Sequence, residues 1–516
     1  MKRKVLTSIK LLIIIGLLFA ACSNSTVWAA SGGEKKVVLA IPQEPTTLDP
    51  SLIVTGPDFI MVENWGEYLL GATPSGELKP RLVTTWKMSP DGKKIDFTLR
   101  KGIKFHSGDM LTARDVEFSF NRGLTKNPAT RTTLALMERF EVLDDYRFTI
   151  HFKTPDVSFI PTQAGRVAIV SKSYYERVGE DKFVRQPVGT GPYKVVHYAS
   201  GEYFDLERFE EYWGEKPSVK QARVYFVPED TTRMAKIQTG EVDLIVGCPY
   251  PSVRDMEKRP GLKVVRLDSN HPSPSVIFAN RNPKVPWYNQ KVRLAMAHAI
   301  DWNAIVKNLL HGIPNHWPLI APYELGYDPN LKPYTYDPKK AKELLNEAGF
   351  SKGFEFKLYY PITGRIPMVR EIAEAIASYF EVVGIRTKLV GEEFAALLAR
   401  RRASKTPEAE FVYIFSLPVA GGPTSTYFLS SSFTAQGNTS VYFNPTYESV
   451  INEARATVDE TKRAELVRRA VKILNEDVAL IPIFNMVTVF VMKESIDFKP
   501  TRYYTDPIHI KDITVK

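Results

Sequence analysis

Cysteine is almost absent from this chain of 516 residues: only Cys22 and Cys248 occur. Cys22 falls in an amino-terminal leader, so no intrachain disulfide braces the fold, and Cys248, in DLIVGCPYP, reads as a buried small hydrophobe. The signatures of common catalytic chemistry are also missing. There is no GxSxG, HExxH, CxxC or P-loop, and Gly189-Thr190-Gly191 runs on into Pro192-Tyr193 without the third glycine of a dinucleotide site. Charge is missing from one long stretch. From Phe411 to Tyr447 the chain has 37 residues without Asp, Glu, Lys or Arg, although 24% of the whole is charged. About nine charges would be expected in such a window. Gly421, Gly422, Pro418, Pro423 and scattered Ser and Thr interrupt it, so it is not a membrane span.

The ends set the compartment. Lys2, Arg3 and Lys4 precede the apolar run Leu11–Ala21, followed by small residues, which is the layout of a secretory signal over residues 1–30. Phe19-Ala20-Ala21-Cys22 has the form of a lipoprotein cleavage box, with lipid on Cys22; cleavage after Ala29 in VWAAS is the alternative. Either way the mature protein is expected to work outside the cytoplasm, in a periplasmic or extracytoplasmic space, free or tethered by lipid. Removing Met1–Ala21 takes four basic residues and no acid, leaving a net charge of +6. Spread over the remaining chain this is mild, and it gives no reason to expect nucleic acid.

Length calls for two or three domains. Alternation marks strands at Ile95, Phe97 and Leu99 and again at Tyr146, Phe148, Ile150 and Phe152. Helices announce their ends: Thr112 with Asp115 opens one, and Asp337-Pro338 opens another that Gly349 closes, with Ala341, Leu344, Leu345 and Ala348 as its stripe. The same spacing recurs at Val292, Ala295, Met296 and Ala299, and at Val369, Ile372, Ala373, Ile376 and Phe380. A helical pair near Glu448–Glu476 precedes a return to β-rich composition in VTVFVM. Strands alternating with helices throughout indicate α/β layers.

No metal or catalytic constellation stands out. His311 and His316 are five apart with Pro314 between them, which suits neither face of a helix, and the adjacent acids Glu392-Glu393 read as solvent-facing charge. Aromatics beside Pro and Gly, including Trp65 and those of the uncharged stretch, suit a concave site for an uncharged or partly apolar solute. Binding without catalysis is the reading that the residues favour.

Several motifs together resemble the large extracytoplasmic solute-binding proteins of ABC importers, family 5, which includes peptide, nickel and opine receptors. They are TTLDP (Thr46–Pro50), LKPRLVTTWKMSPDGKKIDFTLRKGIKFHSGDMLTARDVEFSFNR (Leu78–Arg122), GTGPYKV (Gly189–Val195), MAKIQTGEVDLI (Met234–Ile245), VRLAMAHAIDWNAIV (Val292–Val306) and YDPKKAKELLNEAGF. The resemblance implies a two-lobed periplasmic-binding-protein fold of type II, the large peptide-binding class, with a ligand cleft between lobes. Lobe one would take residues 31–276 with its extra subdomain, lobe two 277–486, and 487–516 would return to lobe one. Asp91-Gly92 in the long signature block reads as a tight turn, and that block as a fold signature.

The resemblance also implies a monomeric receptor that needs no cofactor and hands a peptide or related small solute to ABC permease and ATPase subunits. A secreted α/β hydrolase, or a tethered sensor or chaperone using the same cleft, are the alternatives. Phe411–Tyr447 would then face the cleft, with Tyr413, Phe415 and Ser416 followed by Val419, Gly421, Gly422 and Thr424. Peptide-binding members usually place an acid there to hold the ligand's amino group; the position falls at or near Val419, and no acid is present. Arg365, in PITGRIPMVREIAEAI, occupies the place of an arginine that grips a ligand carboxylate in dipeptide-binding members, or else caps a loop or pairs with an acid such as Glu371. Arg370 reads as helix surface. Trp65 is the lobe-one candidate.

Overall fold

The computed structural model describes residues 35–53, 56–73, 78–127, 130, 134–162, 167–268, 273–314, 319–320, 325–362, 366–404, 406, 408–417, 425–435, 437, 440–500 and 508–516. Three larger sheets organise them. The first has seven strands in the order Leu262–Asp268, Val487–Lys493, Leu244–Val246, Lys36–Ile41, Gln221–Phe226, Tyr203–Arg208 and Tyr193–Ala199. Lys36–Ile41 runs parallel to Gln221–Phe226 and Leu244–Val246, and the other pairings are antiparallel. The second has five strands in the order Arg386–Glu392, Glu355–Pro361, Val412–Leu417, Ser273–Phe278 and Leu480–Pro482. Its first three strands are mutually parallel, so their carboxyl ends share one edge. The third, antiparallel throughout, joins Val83–Met88, Lys94–Leu99, Arg147–Phe152 and Met137–Asp144.

The chain passes from the first sheet to the second between Asp268 and Ser273 and comes back between Pro482 and Val487. A boundary at 276 falls inside the strand Ser273–Phe278. One apolar cluster spans both sheets: Ala40, Ile245, Val489 and Val491 from the first, and Val276, Phe278, Leu358, Val412 and Ile414 from the second.

Local sequence explains the elements. In Lys94–Leu99 alternate residues Ile95, Phe97 and Leu99 are buried, as are Phe148, Ile150 and Phe152 of the paired strand. Tyr146 lies outside that strand, in the turn where the Asp144 carboxylate accepts its backbone N–H at 2.8 Å. The helix Ala113–Lys126 starts where the Asp115 carboxylate accepts from both the N–H and the hydroxyl of Thr112, at 2.8 and 2.9 Å. The helix Pro338–Glu347 is capped by the Asp337 carboxylate on the Lys340 N–H at 2.9 Å. In the helix Val369–Val382 the buried stripe is Ile372, Ala373, Ile376 and Phe380.

Two signature motifs meet at a buried carboxylate. Glu67, fully buried, accepts from Arg81 Nε at 3.0 Å, Thr190 Oγ1 at 2.9 Å, the Tyr212 hydroxyl at 3.0 Å and Trp213 Nε1 at 2.7 Å. Four donors hold the charge there despite its burial. Gly191 donates to the Trp65 carbonyl at 2.9 Å, and a side chain at Gly189 or Gly191 would collide with the Trp65 backbone, at 2.3 and 2.6 Å. That close approach is why GTGPY keeps its glycines.

His106 is tied to the same motif. Its Nε2 donates to the Gly191 carbonyl at 2.8 Å, while Nδ1 accepts the Gly189 N–H at 3.4 Å, so the neutral ring is satisfied on both sides. Burial pushes its pKa down to about 4. A base whose pKa is lower when folded adds stability above its unfolded value, near 6.5, and loses it as pH falls towards 4. The loss at pH 4 should be about 2 kcal/mol, discounted for the ring's partial exposure. Urea unfolding between pH 7 and 4 should show this slope, and His106→Gln should flatten it. An unaltered slope in that variant would refute the assignment.

Candidate functional site

The uncharged stretch begins as the central strand of the second sheet, Val412–Leu417, and further on forms the helix Ser425–Phe433 and the first turn of Pro445–Ala456. Alternation turns Phe411, Tyr413 and Phe415 to one face and Val412 and Ile414 to the other, where they join the cluster shared by both sheets. Ser416, on the second face by the same alternation, is buried and lies opposite Pro274 in register. The rings form a ladder: Phe411 and Tyr413 stack at 4.4 Å, Tyr413 meets Phe415 edge-on at 6.0 Å, and Phe394 stacks on Phe415 at 5.4 Å.

The helix Phe394–Ala403 lies over this ladder. Its buried residues include Leu397 and Arg401, one turn apart, and the Arg401 guanidinium carbon sits 4.8 Å from the Phe415 ring centre and 5.5 Å from that of Tyr413. Burial lowers the Arg401 pKa, and it pushes the Tyr413 hydroxyl up to about 12 against the opposing pull of the cation. Sequence reasoning missed Arg401. The signal was there: Phe394, Leu397 and Arg401 share one helical face, so the middle arginine of Arg400–Arg402 falls in the apolar stripe. Its neighbour Arg400 donates to Glu392, Nη2 to Oε1 at 2.5 Å, and stacks over Tyr359 at 4.7 Å. The reading of Glu392-Glu393 as solvent-facing charge is corrected for Glu392, whose side chain is only 16% exposed and held by that arginine.

Tyr413, Phe415 and Ser416 therefore come together on one strand. Trp65 sits apart from them, fully buried in the core of the first sheet. Arg365, Val419, Gly421, Gly422, Thr424 and Cys22 lie outside the described residues, as does His316. Arg370 is on the helix surface and pairs with Glu374 at 3.0 Å. Among the described residues no group of three His, Cys, Asp or Glu side chains is arranged to hold a metal ion. A cavity of about 680 Å³ opens elsewhere, between Arg81, Tyr212 and Trp213 on one side and the tail residues Phe498, His509 and Lys511 on the other.

The turn at Asp91-Gly92 has a second part to play. Ser89 and Lys93 both donate to the Asp91 carboxylate, at 2.5 and 3.1 Å, and Gly92 takes a φ of 67°, as a tight turn requires. Beyond that, Gly92 packs against Val458, and the neighbouring Val157 N–H donates to the Arg455 carbonyl at 3.3 Å. The small antiparallel sheet thus touches the helical layer of the second sheet. Burial raises the pKa of Asp156 there, opposed by the nearby Arg455.

Comparison with known proteins covers nearly the whole chain. Residues 77–440 match the family model of bacterial extracellular solute-binding proteins, family 5. The dipeptide-binding protein of Escherichia coli K12 is 29% identical over 95% of this chain and 96% of its own. Heme-binding protein A of Haemophilus influenzae is 27% identical over 91% and 92%. Among solved structures, the ABC transporter-associated periplasmic binding protein DppA of Helicobacter pylori, in complex with the peptide STSA, superimposes with a TM-score of 0.79 at 26% identity, covering 93% of this chain and 98% of that one.

Cys248 is buried, and its thiol pKa is pushed up to about 12 by that burial. It should resist thiol reagents at pH 8 until the protein unfolds, and Cys248→Ala should bind solute as the parent does. Rapid labelling of the folded protein would contradict its place in the core.

Proposed function

The chain belongs to the family 5 bacterial extracellular solute-binding proteins, with the type II periplasmic-binding-protein fold, and from that premise we propose that it is a receptor delivering a small solute to an ABC permease and its ATPase. It would act outside the cytoplasm as a monomer, free or tethered through Cys22, without catalysis or cofactor. Residues 31–276 with 487–516 would make one lobe and 277–486 the other, closing on the solute. Two connections between the sheets support this, since two short crossings can absorb a rotation while both cores stay packed.

Relatives bearing the names dipeptide-binding and heme-binding share the fold at similar identity, so fold alone does not name the solute. The observation that carries the reading is the absence of any acid from Phe411 to Tyr447, the stretch whose strand stands at the centre of the second sheet. A buried carboxylate there would cost several kcal/mol unless a cation met it. Its absence favours a solute that is neutral or anionic at that end of the cleft and brings no free amino group to it. Arg365, Ser416, Val419, Gly421, Gly422 and Thr424 remain proposed contacts with Tyr413 and Phe415. Trp65 is proposed to act from lobe one.

Small-angle scattering should show compaction when solute is added, and an unchanged radius at saturation would count against closure. Isothermal titration against free peptides, amino-blocked peptides, opine-like acids and oligosaccharides tests the solute class. Blocked or acidic compounds should bind at least as well as free peptides. Arg365→Ala should weaken a carboxylate ligand by about 2–5 kcal/mol, and an acid at Val419 should not help. Tight binding of free peptides with blocked ones rejected would restore the ordinary peptide receptor.

A further inference from the structure

Four arginines are buried among the described residues, and three of them are matched within the protein. Arg122 reaches Asp49 at 2.6 Å and Glu180 at 2.9 Å. Arg233 donates to the carbonyls of Val227 and Gly247, both at 2.7 Å, and pairs with Asp230. Arg293 donates to the carbonyls of Trp287, Tyr288, Asp477 and Val478 and to the Asp477 carboxylate at 2.6 Å. Arg401, 1% exposed, is the exception. Its Nε is shut away without a hydrogen-bond partner, as are those of Arg122 and Arg233 and the Tyr413 hydroxyl beside it, so what sets Arg401 apart is the lack of an ion pair among the described residues. No carboxylate among the described residues forms an ion pair with it; burial disfavours its charge, the Tyr413 hydroxyl favours it, and the like charge of Arg402 opposes it.

Stacking on Phe415 and Tyr413 offsets only part of the hydration that a buried guanidinium gives up. The group is also in the right place to meet a ligand. Arg401 and Phe394 both lie against the ring of Phe415, at 4.8 and 5.4 Å, and Phe415 stands two residues before the strand ends at Leu417. That is near the edge where three parallel strands end, and open α/β sheets bind ligands outside such carboxyl ends. Planar guanidinium on aromatic rings leaves its donors set for a planar two-oxygen acceptor.

We propose that Arg401 is the counter-charge for a carboxylate on the solute, making this receptor select acids over the matching amides. This deepens the receptor reading and rests on it, while standing on different residues from Arg365.

The test uses the full mature protein and pairs each acid with its carboxamide: N-acetylated di- and tripeptides, dicarboxylic acids and opine-type acids, with inorganic phosphate as a further arm. Thermal unfolding screens the set, and titration measures what binds. In the parent, at least one acid should bind and its amide should be weaker. Arg401→Leu should weaken that acid about 30-fold or more, bringing it to the level of its amide, with Arg401→Lys between. Unliganded Arg401→Leu should melt at the same or a higher temperature, because an unmatched buried charge has been replaced by a hydrophobe. Equal binding of acid and amide by the parent, preference for phosphate over every carboxylate, or unchanged selectivity in a destabilised Arg401→Leu would each overturn the proposal. Binding of neutral or cationic solutes alone would also overturn it while leaving the receptor standing. If no solute of any class binds, the receptor reading falls as well.

Discussion

A charge taken out of water has to be met inside the protein, and much of this structure is arranged around that requirement. Glu67 gathers Arg81, Thr190, Tyr212 and Trp213, and so binds three separate stretches of the chain to one carboxylate. Asp477, between the helix Glu460–Glu476 and the strand Leu480–Pro482, does comparable work. It accepts from Arg293 and, at 2.7 Å, from the Tyr442 hydroxyl, joining the start of the helical layer's last strand connection to the helix Gln290–His298. Against this background Arg401, held among aromatic rings without a carboxylate partner among the described residues, is a departure from the molecule's own rule.

The same requirement gives the uncharged stretch its meaning. A strand at the centre of a sheet can carry no charge simply because it is buried, and Val412 and Ile414 need no other explanation. The stretch continues well past the strand, however, through Pro, Gly and Ser residues of the kind that form loops. Further on, Ser425–Phe433 is a helix with Thr426, Phe428, Leu429, Ser430 and Phe433 buried, so burial accounts for the missing charge there as well.

Much of the architecture was legible in the sequence because it rests on local rules. Capping residues Thr112 and Asp337, the stripe of Val369–Val382 and the alternation of Lys94–Leu99 each depend on neighbours a few positions away. The long motifs identified the family. What escaped is what depends on packing between distant segments. Glu392 reads as surface until Arg400 folds back over it from the next helix. Gly92 reads as a turn until Val458, far along the chain, arrives beside it. Arg401 hides in a run of three arginines, and only the phase of its helix against Val412–Leu417 sends the middle one inward. Of the residues expected to touch solute, the structure gathers Tyr413, Phe415 and Ser416 on one strand and sets Trp65 within a separate core.

On the function proposed above, the protein would carry a small solute of neutral or negative charge between two closing lobes. Native mass spectrometry of the mature protein, purified without added ligand and compared with the same sample denatured, tests it most directly. An extra small mass is expected in the native state, lost on denaturation and belonging to a neutral or acidic compound. A bare chain in every preparation, or a released solute whose only charge is a free amine, would contradict it.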